Sequence, residues 1–150
     1  MLEQLWLVIL TTLAPVAELR GGIPLGIALG LDPVVVIITA FIVNCLVFFP
    51  VYIGLTLLYE GIFDRFAWCR NLLERIHKKG RPYIEKYGIG GLIVYVGIPL
   101  PVTGAWTGTA IAWILGLEWK RSFLAVCIGV LIATLIVSLI SLGVLGIVTV

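Results

Sequence analysis

The sequence predicts an all-α integral membrane protein. Its expected form is an inverted repeat of a re-entrant helical hairpin plus a transmembrane helix, with an amphipathic cytoplasmic linker helix between the halves. Three observations carry that reading. Composition is the first: 61% of the 150 residues are apolar and 12% charged, and mean hydropathy is +1.19. Soluble domains hold about 45–50% apolar and about 25% charged residues. The second is that two of the four long apolar stretches are interrupted by proline and glycine. The third is that these two interrupted stretches align with each other.

The apolar stretches cover residues 5–31, 33–59, 88–117 and 122–148. A helix needs about 20 apolar residues to cross a bilayer core. Residues 33–59 and 122–148 meet that need without a charge, so each reads as an ordinary spanning helix, the first kinked at Pro50. Residues 5–31 hold Pro15, Gly21, Gly22, Pro24, Gly26 and Gly30 around a central Glu18 and Arg20. Residues 88–117 hold Pro99 and Pro101 with glycines at 88, 90, 91, 97, 104 and 108. Proline removes a helix hydrogen bond and glycine weakens a helix interior. Each stretch is therefore expected to be two half-helices joined by a break, near 15–24 and near 99–108. Interrupted backbone at membrane depth survives only against protein or a water-filled cavity.

Charge placement selects a re-entrant hairpin over a kinked span. Residues 60–87 carry Arg65, Arg70, Arg75, Lys78, Lys79, Arg81 and Lys86 against Glu60, Asp64, Glu74 and Glu85, which marks them as cytoplasmic by the positive-inside bias. Lys120 and Arg121 follow the second interrupted stretch. A hairpin keeps that pair on the linker's side, and a span would put it outside. With two hairpins, nine of the ten basic residues are cytoplasmic, and the tenth, Arg20, is buried in the first hairpin. Both termini and the turn at Asp32 then lie outside. Met1-Leu2-Glu3-Gln4 has no basic region before the first apolar run, and no cleavage-type small residues follow it, so no cleavable signal peptide is expected.

A shift of 86 residues, from Pro15 to Pro101, aligns the interrupted stretches without a gap. Pro15-Val16 meets Pro101-Val102, Gly22 meets Gly108, and Leu29-Gly30-Leu31-Asp32 meets Leu115-Gly116-Leu117-Glu118. The chain thus reads as a single membrane domain, 1–150. Repeat 1 is 1–60, the linker 61–87 and repeat 2 88–150. One crossing per repeat inverts the second half relative to the first, the usual construction of secondary transporters. In the linker, Ile62, Phe66, Cys69, Leu73 and Ile76 recur at helical spacing opposite basic residues. That is the pattern of an amphipathic helix lying on the inner membrane surface, either as a plain anchor or with a lipid-headgroup site.

Glu18 and Arg20 are the most informative residues, because an ionisable side chain at the bilayer centre costs about 2.5–3.5 kcal/mol on insertion scales. Three readings stand: a mutual salt bridge that fixes the loop, snorkelling of both to the outer interface, which their place at the expected hairpin tip disfavours, or a substrate and proton site. In the last, Arg20 holds an anionic group with its planar fork of donors, and Glu18 carries a proton. Burial and a nearby arginine act on that proton in opposite senses. The second tip, from Pro99 and Pro101 through Thr103, Gly104, Trp106, Thr107 and Gly108, has donors but no charge. Thr103 is expected to cap the following half-helix, whose N-terminus favours an anion. The candidate site is therefore Glu18, Arg20, Gly21, Gly22 and Pro24 with that second tip. Gly104 and Gly108 equally suit close helix packing. Trp106 and Trp113 suit either a cavity wall or a membrane interface, and Asn44 either cavity lining or a helix–helix contact. His77 is expected to be solvated, and Cys45, Cys69 and Cys127 to pack. Nothing has the spacing of a metal site, a nucleophile motif or a phosphate loop, so neither cofactor, metal nor enzymatic activity is expected.

Glu18-Leu19-Arg20-Gly21-Gly22-Ile23-Pro24-Leu25-Gly26 and Pro99-Leu100-Pro101-Val102-Thr103-Gly104-Ala105-Trp106-Thr107-Gly108 resemble the two signature segments of the small multi-drug export membrane proteins. The resemblance covers nearly the whole chain. That family is similar at a distance to the DedA/VTT (SNARE-associated Golgi protein) superfamily. The resemblance implies paired re-entrant hairpins and transport of undecaprenyl phosphate or other lipids with proton-motive force. The DedA pattern has an acidic residue in the first hairpin, matched by Glu18, and an arginine in the second. Here Gly104 stands near that second place, and the tip arginine is Arg20. The expected function is transport of an anionic or phosphate-bearing substrate, such as a lipid carrier, between the tips. The alternatives are proton-coupled export of small hydrophobic cations and a bilayer-shaping scaffold that transports nothing. The expected setting is the plasma membrane, with membrane lipids, a small-molecule or lipid substrate and protons as partners. A homodimer or larger assembly is expected, since two spans offer little protein to cover broken backbone, and no nucleic-acid partner is expected.

Overall fold

The computed structural model describes residues 2–61, 66–100 and 103–148. Among the described residues every regular element is a helix, in the order α1 (Leu2–Leu13), α2 (Glu18–Ala28), α3 (Pro33–Leu46), α4 (Phe48–Gly61), α5 (Ala67–Gly97), α6 (Ala105–Ile114) and α7 (Trp119–Val148). Two segments are long and apolar enough to cross a membrane, Pro33–Gly61 and Trp119–Val144. The first is α3 and α4 together. They part at Val47, where Pro50 leaves the Leu46 carbonyl without its helical donor and Val51 N–H reaches Val47 O at 3.3 Å.

Both interrupted stretches form closed helical hairpins. Helices α1 and α2 pack along each other, and Leu2 and Leu5 meet Leu31 and Asp32 around one crevice at their open end. Gly88, at φ 46°, splits α5 into a linker segment and a first hairpin arm. That arm packs on α6, and Tyr87, Gly88 and Gly91 share a groove with Leu115 and Leu117. A Cβ placed at Gly116 would lie 3.8 Å from the His77 ring. The turn before Lys120 and Arg121 therefore sits beside the basic linker.

The breaks are shorter than the sequence suggested. The first spans residues 14–17, and Gly21, Gly22 and Pro24 lie inside α2. The second spans 98–104, and Gly108 lies inside α6. Glycine here serves close approach rather than interruption. A Cβ at Gly22 would fall 2.1 Å from Thr12 Oγ1, one at Gly26 2.6 Å from Val36, and one at Gly108 2.4 Å from Val96. Pro101 and Val102 lie outside the described residues.

The aligned block repeats its backbone hydrogen bonds. Gly30 (φ 77°) and Gly116 (φ 67°) end α2 and α6 in the left-handed region, where glycine carries no steric cost. Leu31 N–H reaches Gly26 O at 3.2 Å, and Leu117 N–H reaches Ala112 O at 3.0 Å. Both are the six-to-one bond of a Schellman cap. The following helices also start alike, with Val36 N–H on Asp32 O and Ser122 N–H on Glu118 O.

Helix α7 is the central post, packed on α2, α3, α5 and α6. Its inner face is small, with Ser122, Ala125, Val126, Val130, Ala133 and Thr134 buried. Its outer face is large and apolar: Leu135 is 57% and Leu139 73% exposed. Close helix contact through small residues, with bulky side chains outward, is how helices associate in lipid. Linker positions Phe66 and Trp68 are exposed and Ile76 is half-buried. Ile62, and the side chains of Cys69 and Leu73, lie outside the described residues. Cys45 is buried and Cys127 half-buried, both as free thiols.

Gly26→Val forces a branched side chain into Val36 and is expected to cost about 2 kcal/mol or more. Gly54→Ala, which meets open space, should be neutral or stabilise by up to about 1 kcal/mol. Thermal unfolding of the two variants in one detergent measures the contrast.

Candidate functional site

At the first tip α1 ends at Leu13, and the chain turns so that Glu18 N–H meets Ala14 O at 2.9 Å. Glu18 opens α2 with φ at 47°. A non-glycine residue held there costs of order 1–3 kcal/mol and persists only when its surroundings fix it. Its carboxylate supplies the fixing. Glu18 is 3% exposed, and its oxygens accept from the backbone N–H groups of Ala105 and Trp106, each at 3.3 Å. Those are first-turn donors of α6, which have no partner within their own helix. Hydrogen bonds to a charged group contribute about 1.5–3 kcal/mol, enough to hold the strained backbone.

Arg20 reaches the other side of the second break. It donates to the carbonyl oxygens of Leu100 and, at 3.4 Å, Ile98, and to Thr103 Oγ1 at 3.3 Å. The two charges thus complement opposite dipole ends of the facing hairpin: Glu18 the N-terminus of α6, Arg20 the C-terminus of α5. Among the described residues they form no ion pair with each other, because side chains two apart on a helix do not face one another. Of Arg20, Nε alone is buried without a partner. A return contact comes from Trp106, whose indole N–H donates to Leu13 O at 3.2 Å.

The capping residue differs from expectation. The N-cap of α6 is Gly104, not Thr103. Thr103 Oγ1 instead donates to Ile98 O at 2.5 Å and accepts from Leu100 N–H at 3.2 Å, which folds the loop on itself. Gly104 N–H donates to Thr107 Oγ1 at 3.1 Å. A Cβ on Gly104 would lie 2.0 Å from Glu18 Oε2, so the carboxylate occupies the space a side chain would take.

Of the other predicted positions, Gly21 and Gly22 pack α2 on the hairpin turn and α1. Pro24 and Pro99 border, with Arg20, a cleft of about 470 Å³ whose far wall is Val137, Ile140, Ser141 and Val144 of α7. Trp106 and Thr107 border a second cleft of about 470 Å³, with Pro15 and with Val51, Gly54, Leu55 and Leu58 of α4. Gly108 packs on Val96, away from both. Asn44 is 1% exposed beside the Glu18 carboxylate, with neither polar atom hydrogen-bonded among the described residues. Trp113 donates to Thr56 Oγ1 at 3.0 Å and stacks edge-on with Tyr59. His77 is exposed. Sequence reasoning missed Tyr95, which lies near Arg20, and Ser141. The signal for Ser141 was a hydroxyl among aliphatic residues in a span.

Gly104→Ala is expected to destabilise by about 1–3 kcal/mol by displacing the carboxylate. Glu18→Gly removes both the collision and the strained φ. The double variant should therefore unfold well above the temperature that additive losses give, and a thermal double-mutant cycle in detergent reads that coupling.

No curated protein and no solved structure matches the chain. Residues 18–136, which take in Glu18, Arg20, the second tip and most of α7, match the family described as "Putative small multi-drug export protein", and the chain belongs to that family of membrane proteins.

Proposed function

We propose that this chain is a transporter of an anionic or phosphate-bearing substrate, such as a lipid carrier, and that Glu18 holds the substrate's place when no substrate is bound. The observation that carries this reading is the Glu18 carboxylate on the free N–H groups of Ala105 and Trp106, with the Arg20 guanidinium across the same break on Leu100 and Thr103. A helix N-terminus next to an arginine is an anion site, and here the chain supplies its own anion. Protonation of Glu18 weakens its hold on α6 and frees those donors. A substrate anion then takes them, and one proton enters the site with each substrate.

The same reading makes the hairpins re-entrant and the repeats inverted. Helix α1 has 12 residues, α2 11 and α6 10. At 1.5 Å per residue, arms of that length reach about halfway through a core of about 30 Å. Two such hairpins, entering from opposite faces of the plasma membrane, meet at its centre. The basic linker then lies in the cytoplasm and both termini outside, and self-association covers the lipid-facing side of the tips.

The family's description favours a second reading, proton-coupled export of small hydrophobic cations through Glu18. The two part on ligand charge. In proteoliposomes, binding of a polyprenyl phosphate is expected to tighten as pH falls. Glu18→Gln should bind it with little pH dependence, since no carboxylate competes for α6. Identical pH profiles in both proteins would exclude the placeholder role, and competition between protons and a cationic drug at Glu18 would select the export reading. Arg20→Lys keeps the charge but loses the planar fork, and should weaken anion binding about tenfold or more, read by the same assay.

A further inference from the structure

The two clefts are built from equivalent positions. A shift of 86 residues, as from Pro15 to Pro101, carries Arg20 to Trp106 and Pro24 to Ala110 on the hairpin side. It carries Val51 to Val137, Gly54 to Ile140 and Leu58 to Val144 on the side of the spanning helices. The polar contacts at their inner ends fall on equivalent donors and on acceptors at or next to equivalent positions. Trp106 donates its ring N–H to Leu13 O. The same shift takes Leu13 to Pro99, and Arg20 donates to the carbonyls on either side of Pro99, those of Ile98 and Leu100. Each cleft therefore ends at a side-chain N–H clasped on the backbone of the opposite hairpin's break.

We propose that the two clefts are alternating ends of one path for an anionic amphiphile, and that the Arg20 and Trp106 clasps are its two gates, released in turn. This rests on the transport reading above. The amphiphile follows from the shape and chemistry of the first cleft. A guanidinium stands at its inner end, and an apolar wall runs along α7 from Val137 to Val144, about 10 Å at 1.5 Å per residue. That arrangement takes a charged head and the start of a hydrocarbon chain. The second cleft has the same plan with no charged residue in its wall. There the head meets the Trp106 indole and the Thr107 hydroxyl. In the inverted arrangement proposed above, α4 and α7 leave the tips toward opposite faces, and the clefts open with them.

Equivalent single cysteines test the gates without any substrate. Cys45, Cys69 and Cys127 are replaced by alanine, and Gly54→Cys or Ile140→Cys is introduced. Gly54 has open space for a side chain, and Ile140 is 58% exposed. In sealed vesicles a membrane-impermeant maleimide should label the two positions from opposite faces. Trp106→Phe, which removes the ring donor, should raise labelling at position 54 several-fold and lower it at 140. Arg20→Met should do the reverse. Trp106→His, which restores a ring N–H, should return both rates toward the parent's and separates gating from damage to the fold. Labelling from one face, rates that rise together, or rates that do not change would each overturn the gates. Reciprocal labelling in vesicles that move no polyprenyl phosphate would keep the gates and retire the transport reading.

Discussion

The structure turns on one constraint: a helix interrupted inside a low-dielectric medium must have its loose ends satisfied. Each such end exposes several backbone groups that lipid cannot solvate. Here the second hairpin is satisfied by the first. Glu18 takes donors at the start of α6, Arg20 takes acceptors at the end of α5, and Trp106 returns a bond to the end of α1. Two ionisable side chains that would be costly alone become the complement of two helix ends.

That arrangement explains why the halves cannot be identical at their meeting point. Glu18 and Gly104 occupy the same place in the aligned halves, and a Cβ on Gly104 would lie 2.0 Å from Glu18 Oε2. Two carboxylates brought together there would collide and repel. One half keeps the acid and the other keeps the space for it. The positive φ of Glu18 belongs to the same economy, since a relaxed backbone would point the carboxylate elsewhere.

Much of this was legible in the chain. The alignment of Leu29–Asp32 with Leu115–Glu118 marked a repeated block, which the structure shows to be two Schellman turns, and proline with glycine marked both breaks. That pattern also placed Glu18 and Arg20 at a tip facing Thr103–Thr107. What could not be read follows from glycine's double use. Interruption and close contact have one signature in sequence, so Gly22, Pro24 and Gly108 were assigned to breaks although they lie in helices. The capping of α6 was equally hidden. Thr103 is the local candidate, and the carboxylate that fills the role comes from a residue 87 positions away from Ala105. The clefts needed side-chain volume, which no pattern of residue types supplies.

The joint at Gly88 has a consequence of its own. Because α5 kinks there at a positive φ, with open space where a side chain would lie, the linker segment and the hairpin arm do not share one axis. On the proposed topology the depth of the arm is set by its tip, and the height of the linker by the water–lipid boundary. On that topology a change in bilayer thickness shifts the two levels relative to each other, and the kink is where the chain can absorb it. The proposed topology would in this way insulate the polar contacts of the tips from hydrophobic mismatch.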